Sequence, residues 1–336
     1  GRLGMKCKLS DICVFRKGKV DVSKLTLKTY ISTENMLPNK GGVTEASSLP
    51  TVQLTQEYKK GDILVSNIRP YFKKIWQAKC DGGCSNDVLV FQGNSNIDGD
   101  FLYYILANDD FFAYSMATSK GTKMPRGDKT SIMQYEVPIF DIDTQRKIAS
   151  VLRSLDEKIE LNSTINNNLE EQLSALFVNM FGHSIDSLDN SDIKLGDLIE
   201  SVDNRGKTPP LSDEPTDYPI IDVRALSSNS RIIDYTNCTK YVSKETYNNW
   251  FRSGHPKEYD ILISTVGSLA EMKIFLGTIG CIAQNVVGFR TKDISPLYLY
   301  QYLNYIKNDL VAYNIGSVQP SIKVTHIIKH SIYVAS

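Results

Sequence analysis

One block of sequence occurs twice in this chain, and a single segment with a heptad pattern separates the two copies. The offset between aligned positions is 186 residues for Leu9 and Leu195 and 198 residues for Asp62 and Asp260. The two offsets differ by only 12 residues, which small loop insertions can account for. The sequence therefore predicts two copies of one domain. The matching segments are KKGDILVSNIRP (59–70) with KEYDILISTVGS (257–268), NDVLVF (86–91) with NVVGF (285–289), and FLYYIL (101–106) with LYLYQYL (297–303).

Residues 142–181 are predicted to form one long helix with an a/d seam. At about 1.5 Å per residue this helix would span about 60 Å. Asp143 or Thr144 is predicted as the N-cap and Gly182 as the stop. A core helix of a globular domain is the alternative, although core helices usually need a broader apolar stripe. The seam residues are Ile148, Leu152, Leu155, Ile159, Asn162, Asn166, Leu169, Leu173, Leu176 and Met180.

Each copy of the block is predicted to be a mixed α/β (α+β) domain. GDILVSN and YDILIST are typical of buried strands, whereas LYYILAN and LYLYQYLN have the apolar spacing of helices. The predicted organisation is a first domain over 5–141, a spacer helix over 142–182 and a second domain over 183–336. The seam needs a partner helix, and no second heptad segment follows the second copy. We therefore expect a truncated chain or a partner helix from another polypeptide, which includes a homodimer through 142–181.

Charge and cysteine content narrow the classes of function. Residues 1–141 carry 19 Lys/Arg against 15 Asp/Glu, 142–182 carry 4 against 6, and 183–336 carry 15 against 17, which gives +4, −2 and −2. Binding to nucleic acid would therefore depend on local basic faces. No apolar run approaches the roughly 18 residues of a membrane span. Six scattered cysteines indicate reduced cytosolic thiols, and Cys80 with Cys84 lacks the second pair of a zinc site.

The first copy contains two loops with the composition of a DNA-contacting surface. SNIRPYFKK follows a buried strand, and KGTKMPRGDK combines four cations with two glycines. Arg can bind guanine through two parallel hydrogen bonds, and backbone amides beside Gly can approach phosphates. A hairpin turn and a solvated basic loop are the alternatives. The predicted DNA-binding residues are Ser66, Asn67, Arg69, Lys73, Lys74, Lys120, Lys123, Arg126 and Lys129.

The second copy has the same loops with different side chains. GSVQPSIK (316–323) keeps a Gly, a Pro and a cation but replaces most of the charge by Ser and Gln, which can bind phosphates or adenine. A third loop, NRGKTP (204–209), adds two cations. Such differences are expected of two domains that read different sequences. The predicted DNA-binding residues are Arg205, Lys207, Thr265, Ser268, Ser317, Gln319 and Lys323.

Catalytic motifs are poorly represented. The sequence has no Walker loop, GxGxxG or GxSxG. Asp260, Glu271 and Lys273 match the carboxylate plus Glu-x-Lys spacing with which many nucleases hold a divalent ion. The first copy keeps Asp62 but lacks the Glu-x-Lys. A metal-dependent nuclease is therefore one alternative function, and a scaffold that dimerises through the seam without touching DNA is another.

Taken together, these features resemble the specificity subunit of type I restriction–modification systems. The resemblance covers residues 6–336 and rests on the domain–helix–domain order, on YEVPI before DTQRKIASVLRSLDEKIELN (143–162), on the GDILVS and YDILIS strands and on NRGKTP (204–209). It implies two target-recognition domains that each read half of a split site in double-stranded DNA. It also implies a long helix that serves as a docking surface for methyltransferase subunits, and a restriction subunit as a further partner.

The resemblance further implies a non-catalytic, cytoplasmic protein of bacterial defence. S-adenosylmethionine, ATP and Mg²⁺ would be used by partner subunits, and this chain would hold neither cofactor nor metal. Members of the family usually have a second long helix after the second domain, and its absence here puts stable methyltransferase assembly in question. The spacer helix is expected to hold the two half-sites about one turn of DNA apart, near 34–36 Å.

Overall fold

The structure is a computed structural model, which describes residues 5–121, 124–188, 192–228, 230–277, 279–316 and 318–334. The residues divide into two compact units between Asn162 and Ser163, inside the long helix. The domain limits inferred from the sequence remain a prediction. In the described parts of the chain, none of the helices is both long and apolar enough to cross a lipid bilayer.

The first unit is a mixed α/β structure in which short strands alternate with short helices. Three of its helices follow the last strand of the main sheet. The elements are β1 Met5–Lys8, α1 Leu9–Ile12, β2 Cys13–Phe15, β3 Lys19–Asp21, β4 Tyr30–Ile31, β5 Leu54–Tyr58, β6 Ile63–Ser66, β7 Ile75–Gln77, β8 Gly82–Cys84, β9 Val88–Gly93, α2 Gly99–Leu106, α3 Asp109–Ala117, α4 Lys129–Ile132 and β10 Glu136–Ile139.

The long helix α5 spans Ile142–Phe177 and leads into the second unit. A π-helical turn, Val178–Gly182, connects it to α6, His183–Asp186. The remaining elements are α7 Leu195–Leu198, β11 Ile199–Val202, α8 Val223–Leu226, α9 Lys244–Asn249, β12 Ile261–Ser264, β13 Met272–Ile274, β14 Val286–Thr291, α10 Pro296–Tyr305, α11 Lys307–Ala312 and α12 Val324–Ile327.

The main sheet has the same topology in both units, which confirms the internal repeat. Its antiparallel strand order is β2-β9-β6-β7 in the first unit and β11-β14-β12-β13 in the second. The ILVS and ILIS segments form the inner strands β6 and β12, and all four residues of each are buried. Continuous apolar runs are needed at this place because both faces of an inner strand are covered. The helices predicted from LYYILAN and LYLYQYLN are α2 and α10.

Outside the main sheet the two units differ. The first unit has a second sheet of order β3-β5-β8-β4, in which β4 and β8 are parallel. In the second unit the corresponding region contains isolated bridges, which include a parallel one between Ile220 and Cys281 and an antiparallel one between Pro219 and Tyr241. These segments carry the least similar sequences of the two copies, so they vary on a common sheet framework.

The long helix is anchored at its start by polar contacts. Asp141 caps it, because its carboxylate accepts hydrogen bonds from the backbone N–H (2.9 Å) and the hydroxyl (2.7 Å) of Thr144. The prediction of Asp143 or Thr144 as N-cap was therefore wrong, and the capping residue is the carboxylate that precedes the first helical turn. Gln145 is buried and bonds the carbonyl oxygens of Asn96 and Phe140.

The prediction that Gly182 ends the helix was also wrong. Gly182 has a right-handed helical φ of −53°, and the helical backbone continues through the π turn into α6. Its position against the Tyr305 hydroxyl leaves only 3.2 Å for a Cβ atom, so the glycine provides a close approach between the helix and α10. Packing, and not chain termination, explains this residue.

Most of the predicted seam is exposed. Residues 153–169 are all exposed, and Leu155, Ile159 and Leu169 expose about half or more of their surface (53, 64 and 49%). Ala149 belongs to the hydrophobic core of the first unit and Phe177 to that of the second, and both lie near the ends of the helix. The alternative of a core helix is therefore wrong, and the seam presents an apolar stripe to solvent.

A buried carboxylate stabilises the start of the inner strand in the first unit. Asp62 is 4% exposed and accepts a hydrogen bond from the Arg16 guanidinium (2.9 Å) and another from the backbone N–H of Lys59 (2.8 Å). The arginine lies just after β2, two strands away from β6. The pair closes the turn before β6 and balances the buried charge.

The second unit contains the same carboxylate with a partner from another strand. Asp260 is 2% exposed and accepts hydrogen bonds from the backbone N–H of Lys257 (2.8 Å) and from Arg290 (2.8 and 3.1 Å). This arginine belongs to β14, the immediate neighbour of β12. The requirement for a cation is common to both copies, while the strand that supplies it differs.

Removal of either buried carboxylate is expected to destabilise its unit. Asp62→Ala and Asp260→Ala each leave a guanidinium without its partner, so each should lower the free energy of unfolding by about 3–5 kcal/mol. Chemical denaturation would measure this loss. Asp81→Ala is the matched control, because Asp81 pairs with Lys59 (3.2 Å) at the surface and its loss should be much smaller. Equal losses in all three variants would contradict the assignment.

Candidate nucleic-acid interface

Two loops of the first unit that were predicted to contact DNA lie side by side. The loop after β6 and the loop before α4 are joined by backbone hydrogen bonds from Arg69 N to Pro125 O (2.8 Å) and from Gly127 N to Asn67 O (3.1 Å). A Cβ at Gly127 would lie 2.7 Å from the Asn67 side chain, so glycine is needed for this approach. We call these two loops, 66–74 and 120–129, the first junction.

The second unit builds the same junction from equivalent positions. Gly267 N donates to Pro320 O (3.0 Å), and Ile322 N donates to Thr265 O (2.9 Å). These bonds match those of the first junction with offsets of 198 residues in one loop and 195 in the other. We call the loops 264–271 and 316–323 the second junction. The shared architecture depends on backbone groups, so the exposed side chains are free to differ.

Both junctions require a left-handed backbone at the same place. Arg69 has a φ of 51°, and the equivalent Gly267 has a φ of 86°. Three or four residues later, Lys73 (φ 50°) and Ala270 (φ 55°) are again equivalent. A non-glycine residue in this region costs about 1–2 kcal/mol, and such residues cluster at functional sites. The exposed Arg69 is therefore placed at a position where glycine would be the less strained choice.

Arg126 is the second exposed cation of the first junction. Its backbone is held by a pair of hydrogen bonds with Lys120 (2.9 and 3.0 Å), and its side chain is 52% exposed. Its guanidinium lies 3.0 Å from the carboxylate of Asp87. Asp87 could not be predicted, because nothing in the local sequence between two strands shows that it meets a residue 39 positions later.

Three predicted DNA-binding side chains are buried, which corrects their assignment. Ser66, Asn67 and Thr265 are 4, 9 and 0% exposed. The Ser66 hydroxyl donates to the carbonyl of Ile68 (3.0 Å), and the Thr265 hydroxyl donates to the carbonyl of Asn285 (3.3 Å). Ser66 ends β6, while Asn67 and Thr265 directly follow β6 and β12. The hydroxyls of Ser66 and Thr265 thus bind the chain itself. Their side chains are not accessible to a duplex.

Three predicted cations are half-buried and held by intramolecular contacts. The Lys73 ammonium lies 2.9 Å from Asp109, and the Lys74 ammonium donates to the carbonyl of Thr33 (2.6 Å). Burial lowers the pKa of Lys74. Arg205 pairs with Asp203 (2.6 Å) two residues before it. These cations bind groups of the chain itself. Direct contact with DNA is therefore less well supported for them than for the exposed cations.

The remaining predicted residues are exposed or lie outside the described residues. Lys120 is exposed and donates to Asp128 (2.7 Å); this bond and the backbone N–H of Ser131 lower the pKa of Asp128 to about 2. Lys123 and Ser317 fall outside the described residues. Those exposed at or near the junctions are Lys129, Lys207, Ser268, Gln319 and Lys323. The 204–209 loop is held by a hydrogen bond from Gln284 to Thr208, and Gln284 directly precedes Asn285, whose carbonyl oxygen accepts the backbone N–H of Thr265.

A basic cleft of about 260 Å³ lies beside the first junction. Lys129, at the end of the junction, lines it together with Lys19, Arg16 and Asn86. Because Arg16 is neutralised by Asp62, the two lysines carry the net charge of the cleft. Exposed lysines can bind the phosphates of a nucleic-acid backbone. Of these four residues, only Lys129 was predicted from the sequence to bind DNA.

The residues of the proposed nuclease site do not form a metal centre. Asp260 is occupied by Arg290, Glu271 pairs with Lys307 (3.0 Å), and the buried Lys273 ammonium donates to the carbonyl oxygens of Ser228 and Ser230. Among the described residues, no group of three or more His, Cys, Asp or Glu is placed to hold a metal ion. Each side chain has a structural role, so the nuclease hypothesis finds no support.

The strained position in the first junction gives a testable difference between the two units. Arg69→Gly should raise the free energy of unfolding by up to about 1 kcal/mol, because glycine relieves the left-handed strain but has more entropy in the unfolded chain. Gly267→Ala should lower it by about 1–2 kcal/mol, since a Cβ there meets nothing within 4 Å and only backbone strain acts. Denaturant titration measures both. A large loss for Arg69→Gly would show that this side chain supports the fold.

Comparison with known proteins identifies the family. A family model described as the type I restriction modification DNA specificity domain matches residues 5–171 and 188–334. The chain is 32% identical over 181 residues to the specificity subunit of the type I restriction enzyme HindI of Haemophilus influenzae. This aligned region covers 52% of the chain and 39% of the relative. It is 26% identical over 153 residues to the EcoDI specificity subunit of Escherichia coli, covering 43% and 33%.

A solved structure shares the fold. The S subunit of a type I restriction–modification system from M. genitalium superposes with a TM-score of 0.51 at 16% identity, covering 91% of this chain and 77% of that one. The aligned regions span less than half the length of the two curated relatives. The two segments matched by the family model cover most of the sequence, and each contains one junction. The chain therefore belongs to the type I restriction–modification DNA specificity family.

Proposed function

We propose that this chain is the DNA-reading component of a type I restriction–modification complex. Each unit would read one part of a split target through its junction. The observation that carries this proposal is the repeated junction: equivalent backbone bonds present different exposed side chains in the two units. Two sensors with one framework and different contact residues are what recognition of two unlike half-sites requires.

The exposed side chains suit different bases in the two units. In the first junction, Arg69 and Arg126 can each present two N–H groups to the O6 and N7 atoms of guanine in the major groove. In the second, Gln319 can bind adenine and Ser268 can bind either a base or a phosphate. Lys129 and Lys207 would bind phosphates and set the position of the duplex without reading its sequence.

The long helix would serve as spacer and as docking surface. Its middle part is exposed over 153–169, and the stripe of Leu155, Ile159 and Leu169 is of the kind that packs against another helix. Partner methyltransferase and restriction subunits would bind S-adenosylmethionine, ATP and Mg²⁺ and perform the chemistry. This chain would then be non-catalytic and act in the cytoplasm with its partners.

Selection from a random library of duplex DNA tests the proposal. The full chain should select two short motifs separated by a fixed number of unspecified base pairs. A variant in which the first unit's residues 10–137 replace residues 196–332 should select the first half-motif twice, because both segments start and end at equivalent backbone positions. Sequencing of the selected DNA is the measurement. Absence of any selected motif would favour a scaffold that does not bind DNA.

The phosphate contacts can be tested through the salt dependence of binding. Lys129→Gln should weaken binding to all sequences alike and lower the slope of log K against log salt by about one unit, because one phosphate contact is lost. Fluorescence anisotropy over 50–200 mM salt would measure the slope. Lys79→Gln removes an exposed charge next to the opposite end of β6 and serves as control. If both variants change the slope equally, the cleft is not the phosphate site.

A further inference from the structure

The contact between Asp87 and Arg126 has no counterpart in the sequence analysis or in the function proposed above. We infer that Asp87 is a specificity-determining residue that holds the Arg126 guanidinium in position for one base of the first half-site. The inference rests on the proposed function and deepens it, because it assigns the discrimination at one base to a pair of side chains. By the chemistry of the guanidinium, that base is guanine.

The backbone of Arg126 is held by hydrogen bonds, so only its side chain can change conformation. The backbone is tied to Lys120 by two hydrogen bonds and adjoins the bond from Gly127 to Asn67. The side chain is 52% exposed, and its Nη2 atom lies 3.0 Å from Asp87 Oδ1. A guanidinium has five N–H donors in a planar fork, so an ion pair with a carboxylate restricts where the group lies and leaves donors for a base.

Asp87 is itself held rigidly. Its carbonyl oxygen accepts the backbone N–H of Asn67 (2.8 Å), and its own N–H donates to the Ser85 hydroxyl (3.3 Å). The next residue, Val88, begins the central strand β9. The carboxylate therefore projects from the edge of a rigid element, which is what an orienting group for a base-reading side chain needs.

The second unit replaces both members of the pair. The position equivalent to Asp87 is Asn285, whose carbonyl oxygen accepts the backbone N–H of Thr265 in the same way (2.8 Å). The position equivalent to Arg126 is Ser321, which bridges to Val266 as Arg126 bridges to Ile68. The backbone is thus common to both junctions, while the acid and the cation occur together in one and are both missing from the other. This pairing indicates that the two side chains act as a unit.

A carboxylate at a DNA-binding surface has a cost, which makes its presence informative. It repels the phosphates of any duplex and so lowers non-specific affinity. Its benefit has to be discrimination, since a correctly oriented Arg126 gains most from the right base and a carboxylate penalises a wrong approach. For a residue that only supported the fold, we would not expect a lower non-specific affinity together with a higher specificity.

Asp87→Asn in the full chain tests the inference by the same duplex selection. One position of the first half-motif should relax, with discrimination at that base falling about tenfold, within the 5- to 150-fold range of one bidentate contact. The second half-motif should stay unchanged and so provides an internal control. Affinity for a duplex that lacks the motif should be equal or higher, because a negative charge has been removed.

Asp81→Asn is the matched control variant. It removes the same charge from the same unit, but Asp81 pairs with Lys59 (3.2 Å) near the opposite end of β6. It should leave the whole motif unchanged. A gain-of-function variant provides the complementary test: Asn285→Asp combined with Ser321→Arg should add a guanine preference to the second half-motif, because the backbone there is equivalent.

The outcomes separate this inference from the proposed function. If the wild-type chain selects a split motif and Asp87→Asn leaves it intact, the inference fails and the function stands. A uniform loss of affinity together with a lower unfolding midpoint would also overturn it, since Asp87 would then be structural. A graft that folds but adds no preference counts against it as well. If the wild-type chain selects nothing, both the function and the inference fail.

Discussion

The backbone hydrogen bonds between two loops are the interaction on which the candidate interface depends. In each unit the loop after the inner strand is joined to the loop before the last short helix by main-chain donors and acceptors, at equivalent positions. Main-chain bonds do not depend on side-chain identity, so the geometry is the same while the surface residues differ. Main-chain groups thus hold the candidate interface together, and its exposed side chains can vary independently. Arg126 and Ser321 occupy the same place for this reason.

The buried carboxylates show the same separation inside the units. Asp62 and Asp260 both close the turn before the inner strand and accept a backbone N–H from three residues earlier. A buried carboxylate needs a cation, but any neighbouring strand can provide it. Arg16 comes from the end of β2, and Arg290 comes from β14. Both units therefore need a cation beside the buried carboxylate, but they take it from different strands.

The long helix follows a different constraint. Ala149 and Phe177 near its ends belong to the hydrophobic cores of the units, while residues 153–169 are exposed. In a coiled coil, polar seam residues such as the two central asparagines help to select the register and the partner. The exposed stripe is thus a consequence of the heptad pattern.

The sequence by itself determined the repeat, the inner strands, the helices after the main sheet and the existence of the long helix. These follow from periodicity and offset, which are local properties or comparisons of one segment with another. It also located the loops of both junctions, because those of the first contain Gly, Pro and cations and those of the second lie at equivalent positions of the repeat. Contact residues within those loops could not be sorted, since Ser66 and Arg69 look alike as loop residues until packing buries one and exposes the other.

Only the tertiary structure decided which side chains meet. Asp87 reaches Arg126 across two elements, and Asp141 caps the long helix in place of the residues expected from the sequence. The structure also assigned Asp260, Glu271 and Lys273 to separate structural partners, although their spacing resembled a metal site. The reason is the same in each case: burial and pairing depend on residues far apart in the chain, and local spacing carries no information about them.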